Sequence, residues 1–509
     1  MSSARLDSTE ANQPVGESVL AFDCGTGSLK AAVIAPGGSI RAEASAGYRL
    51  YQGSGGLAEQ DGDEIWTAAV TAGREVLARA AIAPARIGAL VFAATWKAIL
   101  PLAPDGRPLS RAAIWMDSRG REQARTLNQR LGRHIGTGQE FWPRVMRLRQ
   151  EEPALWHAAS SVVGLNTYLK FRATGVLANE PSDDFAFGSD PLTHARYDEV
   201  MDAAGLAQDR HKFVPPQPAE SIVGQLQPTA AAELGLLPGT PVFNGFSDLS
   251  AIMVGTGSGA PGRAHIYLGS SSWFVVSSSS PAPMAPLSFT VSEHLHGAAY
   301  VIQSACLAYD WAVAQFYHHE VERLGKAVNL LVNEEVAQVP AGSADLLATH
   351  WLNGELPPLS KNSRGLFLNV TPLHDRRHMV RAVMESICYA HRSSYDAYVA
   401  QGGDRLDRIR VVGGGARSDV WMQMLADVLE IPVEVPSNPQ STGTVGAYFA
   451  TEVGRGSLAS FADVDQSQTA ERSFQPHPAA SRTYRRLFAI HDRLHDLLQD
   501  TFSALNGLY

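Results

Sequence analysis

Residues 17–36 read ESVLAFDCGTGSLKAAVIAP, two apolar runs joined at a glycine-rich corner. This pattern predicts a β-hairpin with an unusual turn. Glycines at such a corner let backbone N–H groups approach a phosphate closely, and the hydroxyls of Thr26 and Ser28 add donors. Asp23, at the end of the first strand, is placed to hold Mg²⁺ through water. An ordinary glycine-rich hairpin fits the same letters, so this segment alone leaves both interpretations open.

A second chemistry-bearing residue, Asp248, lies where a strand is followed by a helix. PVFNGFS (241–247) is typical of a buried strand, and DLSAIMVG after it is typical of a helix. Aspartate is also a favoured residue at the start of a helix, so its position is explained without any catalytic role. The residue is therefore a candidate base whose assignment needs further support.

The third segment is VVGGGARSD (411–419), a strand with a triple-glycine exit before a helix. It resembles a nucleotide-binding turn, but Ser418 takes the last glycine position of the dinucleotide fingerprint and no βαβ unit opens the chain. The P-loop pattern and the catalytic motifs of protein kinases do not occur in the sequence. Any ATP site must be of another type.

The organisation of the chain favours an α/β architecture in two halves. Strand and helix patterns alternate throughout the sequence. RAHIYLGSSSWFVVSSSS (263–280) repeats the strand–turn–strand style of the first hairpin, which is a weak internal repeat. The glycine-rich stretch 255–262 between the halves is the candidate domain boundary.

Length, composition and charge predict a two-domain cytoplasmic protein and argue against a nucleic-acid-binding or membrane-spanning one. A chain of 509 residues is too long to fold around a single hydrophobic core, so we expect two domains. Its hydrophobic content of 45% is enough for each domain to bury a normal core. A net charge of −9 argues against a nucleic-acid partner. The polar start carries no signal-peptide pattern, and no apolar stretch is long enough for a membrane span. Three separated cysteines argue against a disulfide framework and favour the cytoplasm.

Taken together, the motifs resemble the FGGY carbohydrate kinases, and among them most the xylulokinases. The resemblance extends from about Val19 to about Gly456. It rests on AFDCGTGSLKAAV, AEQDGDEIW (58–66), AAIWMDSR (112–119), FSDLSAIMVGTG, HIYLGSSSW, LNGELPPL and VVGGGARSDVWMQMLADVLEIPV, in this order.

The resemblance implies a two-lobed actin-like, ribonuclease H-like α/β fold with the active-site cleft between the lobes. It implies a disordered tail over 1–16, an N-terminal lobe over 17–257 and a C-terminal lobe over 258–509. It also implies ATP and Mg²⁺ as cofactors, a free sugar as substrate and a homodimer as one assembly to expect.

Site roles carry over by position. Asp248 becomes the general base and Asp23 the metal residue. The remaining assignments are phosphate binding by Gly25, Thr26, Gly27, Ser28, Lys30, Gly269, Ser270 and Ser271; adenosine binding by Gly413, Gly414, Gly415, Ala416 and Ser418; and substrate binding by Trp96, Lys97, Asp117 and Asp248. We expect an ordinary carboxyl pKa for the base, kept ionised by the helix N-terminus.

The substrate segment departs from the family. Xylulokinases carry Gln-Met-His-Gly where this chain has Thr95-Trp96-Lys97-Ala98, and glycerol kinases place Arg-Glu at the two central positions. Trp96 is suited to stack on a sugar, and Lys97 to bind hydroxyls or an acidic group. Alternatively, Lys97 pairs with a carboxylate such as Asp117 and touches no ligand.

Phosphorylation of D-xylulose to D-xylulose 5-phosphate is the first expectation. Another ketose, a polyol or an acidic sugar remains the alternative. Two other classes stay in view: a non-catalytic actin-like ATP-binding protein, which would need neither Asp23 nor Asp248, and a Rossmann dehydrogenase, which the failed fingerprint disfavours.

Overall fold

Strands form at the apolar runs of the sequence in the computed structural model, which describes residues 16–188, 191–282, 285–355 and 359–506. The expected disordered tail lies outside these residues apart from Gly16. The strands are β1 (Ser18–Cys24), β2 (Ser28–Ile34), β3 (Ile40–Gly47), β4 (Leu50–Gln52), β5 (Ala58–Gln60), β6 (Ile87–Ala94), β7 (Leu100–Leu102), β8 (Ala112–Ala113), β9 (Ser161–Val163), β10 (Ile222–Gln225), β11 (Pro241–Ser247), β12 (Ala264–Leu268), β13 (Ser272–Ser278), β14 (Leu287–Ser292), β15 (Leu295–Ile302), β16 (Leu347–Thr349), β17 (Leu366–Leu368), β18 (Ile409–Val412), β19 (Val433–Pro436) and β20 (Ala470–Phe474).

Helices follow most strands, as an α/β fold requires. They are α1 (Gly62–Ala80), α2 (Arg121–Leu131), α3 (Phe141–Glu151), α4 (Pro153–Ala158), α5 (Leu165–Thr174), α6 (Pro191–Ala204), α7 (Pro228–Leu234), α8 (Asp248–Gly255), α9 (Cys306–Phe316), α10 (His318–Leu324), α11 (Val328–Val336), α12 (Arg376–Ala400), α13 (Asp419–Leu429), α14 (Thr442–Gly454), α15 (Val464–Ser467), α16 (Pro478–His491) and α17 (Leu494–Asn506). Among the described residues, no helix is long and apolar enough to cross a membrane.

The chain forms two compact units. The first takes in the chain up to Gly255 together with Thr290–His296 and Gly443–Ser467. The second holds Thr256–Phe289, Gly297–Thr442 and the chain from Gln468 onward. The division into functional lobes at 257 and 258 stays a prediction.

The sheet of the first unit has the strand order β10-β11-β6-β1-β2-β3. Strands β1 and β2 pair antiparallel as the predicted hairpin, and β6 joins β1 in parallel. Every residue of β6 is buried, as expected for the middle of a sheet covered on both faces. Helix α1 packs on this sheet and begins after Asp61, whose side chain accepts hydrogen bonds from the N–H groups of Asp63 and Glu64.

The other large sheet, ordered β14-β15-β13-β12-β18-β19-β20, lies mainly in the second unit and repeats the same pattern. An antiparallel hairpin, β12–β13, is followed by the parallel strand β18 on the other side of β12. The weak repeat in the sequence is therefore a repeat of topology. Both sheets bring the carboxyl end of their first strand to a glycine-rich corner.

Candidate active site

The first corner, residues 25–27, is held by side chains from outside the hairpin. The amide nitrogen of Gln60 donates to the carbonyl oxygens of Thr26 at 2.6 Å and Gly25 at 3.4 Å. The indole N–H of Trp115 lies 3.4 Å from the Thr26 hydroxyl. Gln60 is fully buried, so it can brace the corner but cannot itself reach a ligand in solvent. Sequence reasoning quoted its motif without giving it a role.

The remaining residues of this segment lie on the strands. Ser28 is the first residue of β2, and Lys30 pairs in register with Asp23 across the hairpin. Asp23 lies against the start of α14, where a Cβ added to Gly443 would come within 2.3 Å of its carboxylate. Burial raises the pKa of Asp23, and the charge of Lys30 opposes that rise.

Asp248 is the first residue of α8, directly after β11, as the sequence predicted. Its carboxylate accepts hydrogen bonds from the backbone N–H groups of Leu249 at 2.9 Å and Trp96 at 3.2 Å. The pKa of Asp248 is raised to about 7, mainly by burial and secondly by the negative charge of Asp23. The expectation of an ordinary pKa is therefore wrong, because the helix N-terminus does not offset the loss of water and the second carboxylate.

Trp96 and Lys97 follow the end of β6 and lie beside this carboxylate. The Trp96 indole N–H donates to the carbonyl of Ser182 at 2.5 Å, which fixes the buried ring. Lys97 has a φ of +63°, a left-handed conformation unusual for a residue with a side chain. Its N–H donates to Asp183 at 2.9 Å, and its carbonyl accepts from Arg144 at 2.6 Å.

The Lys97 ammonium lies 4.0 Å from the centre of the Trp96 ring. Burial lowers the pKa of Lys97 to about 8, although nearby Glu140 and Asp183 favour its charge. Asp117 does not pair with it. The Asp117 carboxylate instead accepts a hydrogen bond from the N–H of Ala58 and forms an ion pair with Arg119 at 2.6 Å. The expected pairing of Lys97 with Asp117 is wrong, and the contact of Lys97 with a substrate stays a prediction.

A polar network lies buried behind Asp248, and the sequence analysis missed it. The Ser182 hydroxyl contacts the hydroxyl of Ser247 at 2.7 Å and the carboxylate of Glu180 at 2.7 Å. Lys170, fully buried, donates to Asn244 on β11. Burial raises the pKa of Glu180 and lowers that of Lys170. The sequence signal was a lysine inside the apolar run TYLKF of α5, a position rarely filled by a charge without a partner.

The second corner, residues 269–271, joins β12 to β13 in the second unit. The turn after β18, which begins at Gly413, lies next to this corner. Gly413 has a φ of +94°, and a Cβ there would meet the carbonyl oxygen of Leu268 at 2.6 Å. Only glycine fits, because the chain must turn left-handed against the end of β12. The structure thus brings the predicted adenosine turn beside the predicted second phosphate corner.

The rest of that turn forms the start of α13. Gly414 precedes a short 3-10 turn that runs over Gly415–Arg417 and includes Ala416. The Ser418 hydroxyl accepts the N–H of Trp421 at 3.2 Å and so caps the helix. It also donates to Asn333 at 2.8 Å, so one lone pair of the hydroxyl remains to accept a hydrogen bond from a ligand.

Family models match most of the chain. The N-terminal domain of the FGGY family of carbohydrate kinases matches residues 18–255, and the C-terminal domain of that family matches residues 264–452. The chain belongs to the FGGY family. It is a sugar kinase with the two-domain, actin-like α/β fold of FGGY kinases, and the resemblance noted in the sequence is confirmed.

Curated relatives of this FGGY kinase differ in substrate. It is 26% identical to a xylulose kinase of Bacillus subtilis, over 96% of this chain and 99% of the relative. It is 25% identical to a gluconokinase of Bacillus licheniformis, over 96% and 97% of the two chains. It is also 25% identical to an L-xylulose/3-keto-L-gulonate kinase of Escherichia coli, over 94% and 97%.

Solved structures confirm the fold of the FGGY kinase. A xylulose kinase from Lactobacillus acidophilus superposes with a TM-score of 0.84 at 19% identity, over 96% of this chain and all of the other. A gluconate kinase from the same species gives 0.85 at 19% identity, over 96% and 99%. At 19% identity these similarities establish the fold but do not identify the sugar substrate.

Proposed function

We propose that this FGGY kinase transfers the terminal phosphoryl group of ATP to a hydroxyl of a free sugar, with Asp248 as the base. The observation that carries the proposal is the position of Asp248. It lies at the start of α8, beside Asp23 and held by the N–H of Trp96. A non-catalytic ATP-binding protein would need neither carboxylate. In such a protein the repulsion between Asp23 and Asp248 would lower the stability without serving a function.

The chemistry asks little of the base until late. Phosphoryl transfer passes through a loose transition state, so positioning and charge neutralisation contribute most of the rate. Asp248 accepts the hydroxyl proton as the new O–P bond forms. With a pKa of about 7, the carboxylate is a stronger base than an ordinary aspartate and is still largely ionised slightly above neutrality.

The acidic pair fits a divalent cation. Asp23 and Asp248 raise the free energy of the doubly ionised site, and carboxylate oxygens are ligands that Mg²⁺ prefers. Asp23 would hold the ion through water. Bound Mg²⁺ would supply charge neutralisation for the phosphate oxygens.

The remaining roles are part of the proposal. The first corner with Ser28 and Lys30, and the second corner, bind phosphates through backbone N–H groups and hydroxyls. Residues 413–416 and Ser418 bind adenosine. Asp117 acts on the sugar through Arg119, since its own carboxylate is buried. A cytoplasmic homodimer is the expected state, and the free cysteines agree with a reducing compartment.

D-Xylulose is the proposed acceptor, giving D-xylulose 5-phosphate. Support comes from the motifs shared with xylulokinases and from the xylulose kinases among the relatives. Trp96 and Lys97 would then hold the sugar through ring stacking and hydroxyl hydrogen bonds instead of the usual Met-His pair.

A sugar acid is the second candidate, and one observation favours it. Within the described part of the chain, no carboxylate lies within ion-pair distance of the Lys97 ammonium, which rests on the Trp96 ring. A partly desolvated cation gains most from a partner of opposite charge. The carboxylate of an aldonate would provide it.

One assay separates these proposals. ADP release with Mg-ATP is measured across ketopentoses, ketohexoses, polyols and aldonates, for the wild type, Asp248→Asn and Lys97→Met. Asp105→Asn, which changes an exposed aspartate, is the matched control. We expect one or a few sugars to stimulate turnover, and Asp248→Asn to lower it by about 10²–10⁴-fold.

The Lys97→Met variant identifies the substrate class. For an aldonate, loss of the cation should lower kcat/KM by roughly 100-fold, the scale of a desolvated charge pair. For D-xylulose, the loss should stay near tenfold, the lower end of the scale for one hydrogen bond to a charged group. If no sugar stimulates ADP release, or if Asp248→Asn keeps the wild-type rate, the proposed function is wrong.

A further inference from the structure

The second corner is supported by the start of α9. The N–H groups of Ala305 and Leu307 donate to the carbonyl of Ser270, at 3.0 and 3.2 Å. The N–H of Cys306 donates to the carbonyl of Gly269 at 2.9 Å. No side chain caps this helix, so the donors that a helix leaves unused in its first turn are satisfied by the corner. The position of the corner therefore depends on the position of residues 305–307.

The two residues before this helix start are held by one carboxylate. Glu355 accepts the backbone N–H of Gln303 at 3.0 Å and that of Ser304 at 3.3 Å. It is only 3% exposed. Hydrogen bonds from N–H groups to a carboxylate are about twice as strong as neutral ones. Glu355 thus fixes the chain where it leaves β15 and turns into α9.

A buried histidine, His350, lies beside Glu355. His350 lies with its Nε2 atom 3.6 Å from the carboxylate, and its Nδ1 atom is 2.8 Å from the Ser386 hydroxyl. Burial, with the neighbouring His491 and His391, holds the pKa of His350 well below its ordinary range, so the imidazole stays neutral. The carboxylate is therefore set in a packed polar layer rather than a solvent-filled pocket.

We propose that Glu355 is a positioning residue for the phosphates of ATP. It acts through residues 303–307 on the second corner and does not touch the nucleotide. The inference rests on the proposed phosphate-binding role of that corner. Its first consequence is selective: loss of Glu355 should weaken the binding of phosphates more than the binding of adenosine, because the N–H of Gly413 in the adenosine turn is held by the carbonyl of Pro439 at 2.8 Å, outside residues 303–307.

The test compares two variants that remove the same charge. Glu355→Gln keeps the size of the side chain but turns one acceptor into a donor that faces a backbone N–H. Glu385→Gln is the matched control: Glu385 is also buried, at 1% exposure, and its partners on α12 and elsewhere include Gly342 and Tyr484. Both variants are titrated with ATP and with adenosine by calorimetry, after thermal melts show that they are folded.

We expect Glu355→Gln to bind ATP about tenfold more weakly, the scale of a hydrogen bond to a charged group, with adenosine affinity within twofold of wild type. Glu385→Gln should keep both affinities. Equal weakening of ATP and adenosine, or wild-type affinity for both, would overturn the proposal. If the wild type binds no ATP, the proposed function fails instead. Should Glu355→Gln not fold, Glu355→Asp keeps a buried carboxylate one methylene too short, and the same difference between ATP and adenosine is required of it.

Discussion

Replacing Asp248 with asparagine should make the protein more stable while lowering its activity by about 10²–10⁴-fold. The rise of the Asp248 pKa from 3.8 to about 7 means that ionising this group is harder in the folded chain than in the unfolded one. At about 1.4 kcal/mol per pH unit, complete ionisation costs about 4 kcal/mol. Since Asp248 is partly exposed, solvent screening reduces the expected cost to about 2 kcal/mol.

The sign fixes the pH window. A carboxyl group with a raised pKa favours the folded state below its unfolded pKa of about 4, and this contribution is lost as the pH rises through 7. Asparagine does not ionise and pays no such cost. The difference in stability between variant and wild type should therefore be small at pH 4, grow through pH 5 and 6, and level off above pH 7.

The assay is a series of thermal melts from pH 4 to 8.5, in EDTA and without nucleotide, so that no cation shields the site. A difference of about 2 kcal/mol corresponds to a Tm gain of roughly 4–8 °C for a unit of this size. Asp105→Asn should show no such trend, because its side chain is exposed. A Tm difference that does not change with pH, or a less stable Asp248→Asn at pH 8, would refute the reasoning.

Three further changes test other parts of the site. Gly443→Ala should lower kcat by about tenfold or more, because the added methyl group would displace the Asp23 carboxylate, and misplaced groups cost that much in rate; an unchanged kcat at wild-type Tm contradicts it. Lys170→Met removes the charge that favours ionisation of buried Glu180 and leaves Asn244 without its donor, and it should cost about 1–3 kcal/mol in chemical denaturation, whereas the double variant with Glu180→Gln should recover part of the loss. Gln60→Leu removes the donor to the first corner and should raise KM for ATP by roughly tenfold in steady-state kinetics, with KM for the sugar as the internal control.

The elements that the sequence predicted are those set by local rules. The hairpin β1–β2, the buried strand β6 and the junction of β11 with α8 at Asp248 follow from apolar runs, glycines and helix-start preferences. These features need only neighbours in the chain. The α/β class follows from their alternation.

The parts that escaped prediction depend on residues far apart in the sequence. The pKa of Asp248 is set by burial and by Asp23, which no local pattern reveals. The charge of Glu180 that acts on Lys170 and the hydrogen bond from the N–H of Gln303 to Glu355 also join residues that are apart in the sequence. The motif LNGELPPL resembles a motif of the family, but the sequence does not show what its glutamate, Glu355, contacts. Its hydrogen bonds to residues 303 and 304, between β15 and α9, are seen only in the folded structure.

The base is held in place by a main-chain group, and this separates two properties that evolution would otherwise have to change together. Asp248 is oriented by the N–H of residue 96, not by its side chain. Side chains at 96 and 97 are thus open to exchange, and a change of sugar need not disturb proton transfer. The left-handed backbone at Lys97 sets the limit: glycine and asparagine are admissible there, β-branched residues are not. A family that keeps its chemistry while its members act on different sugars is what such an arrangement permits.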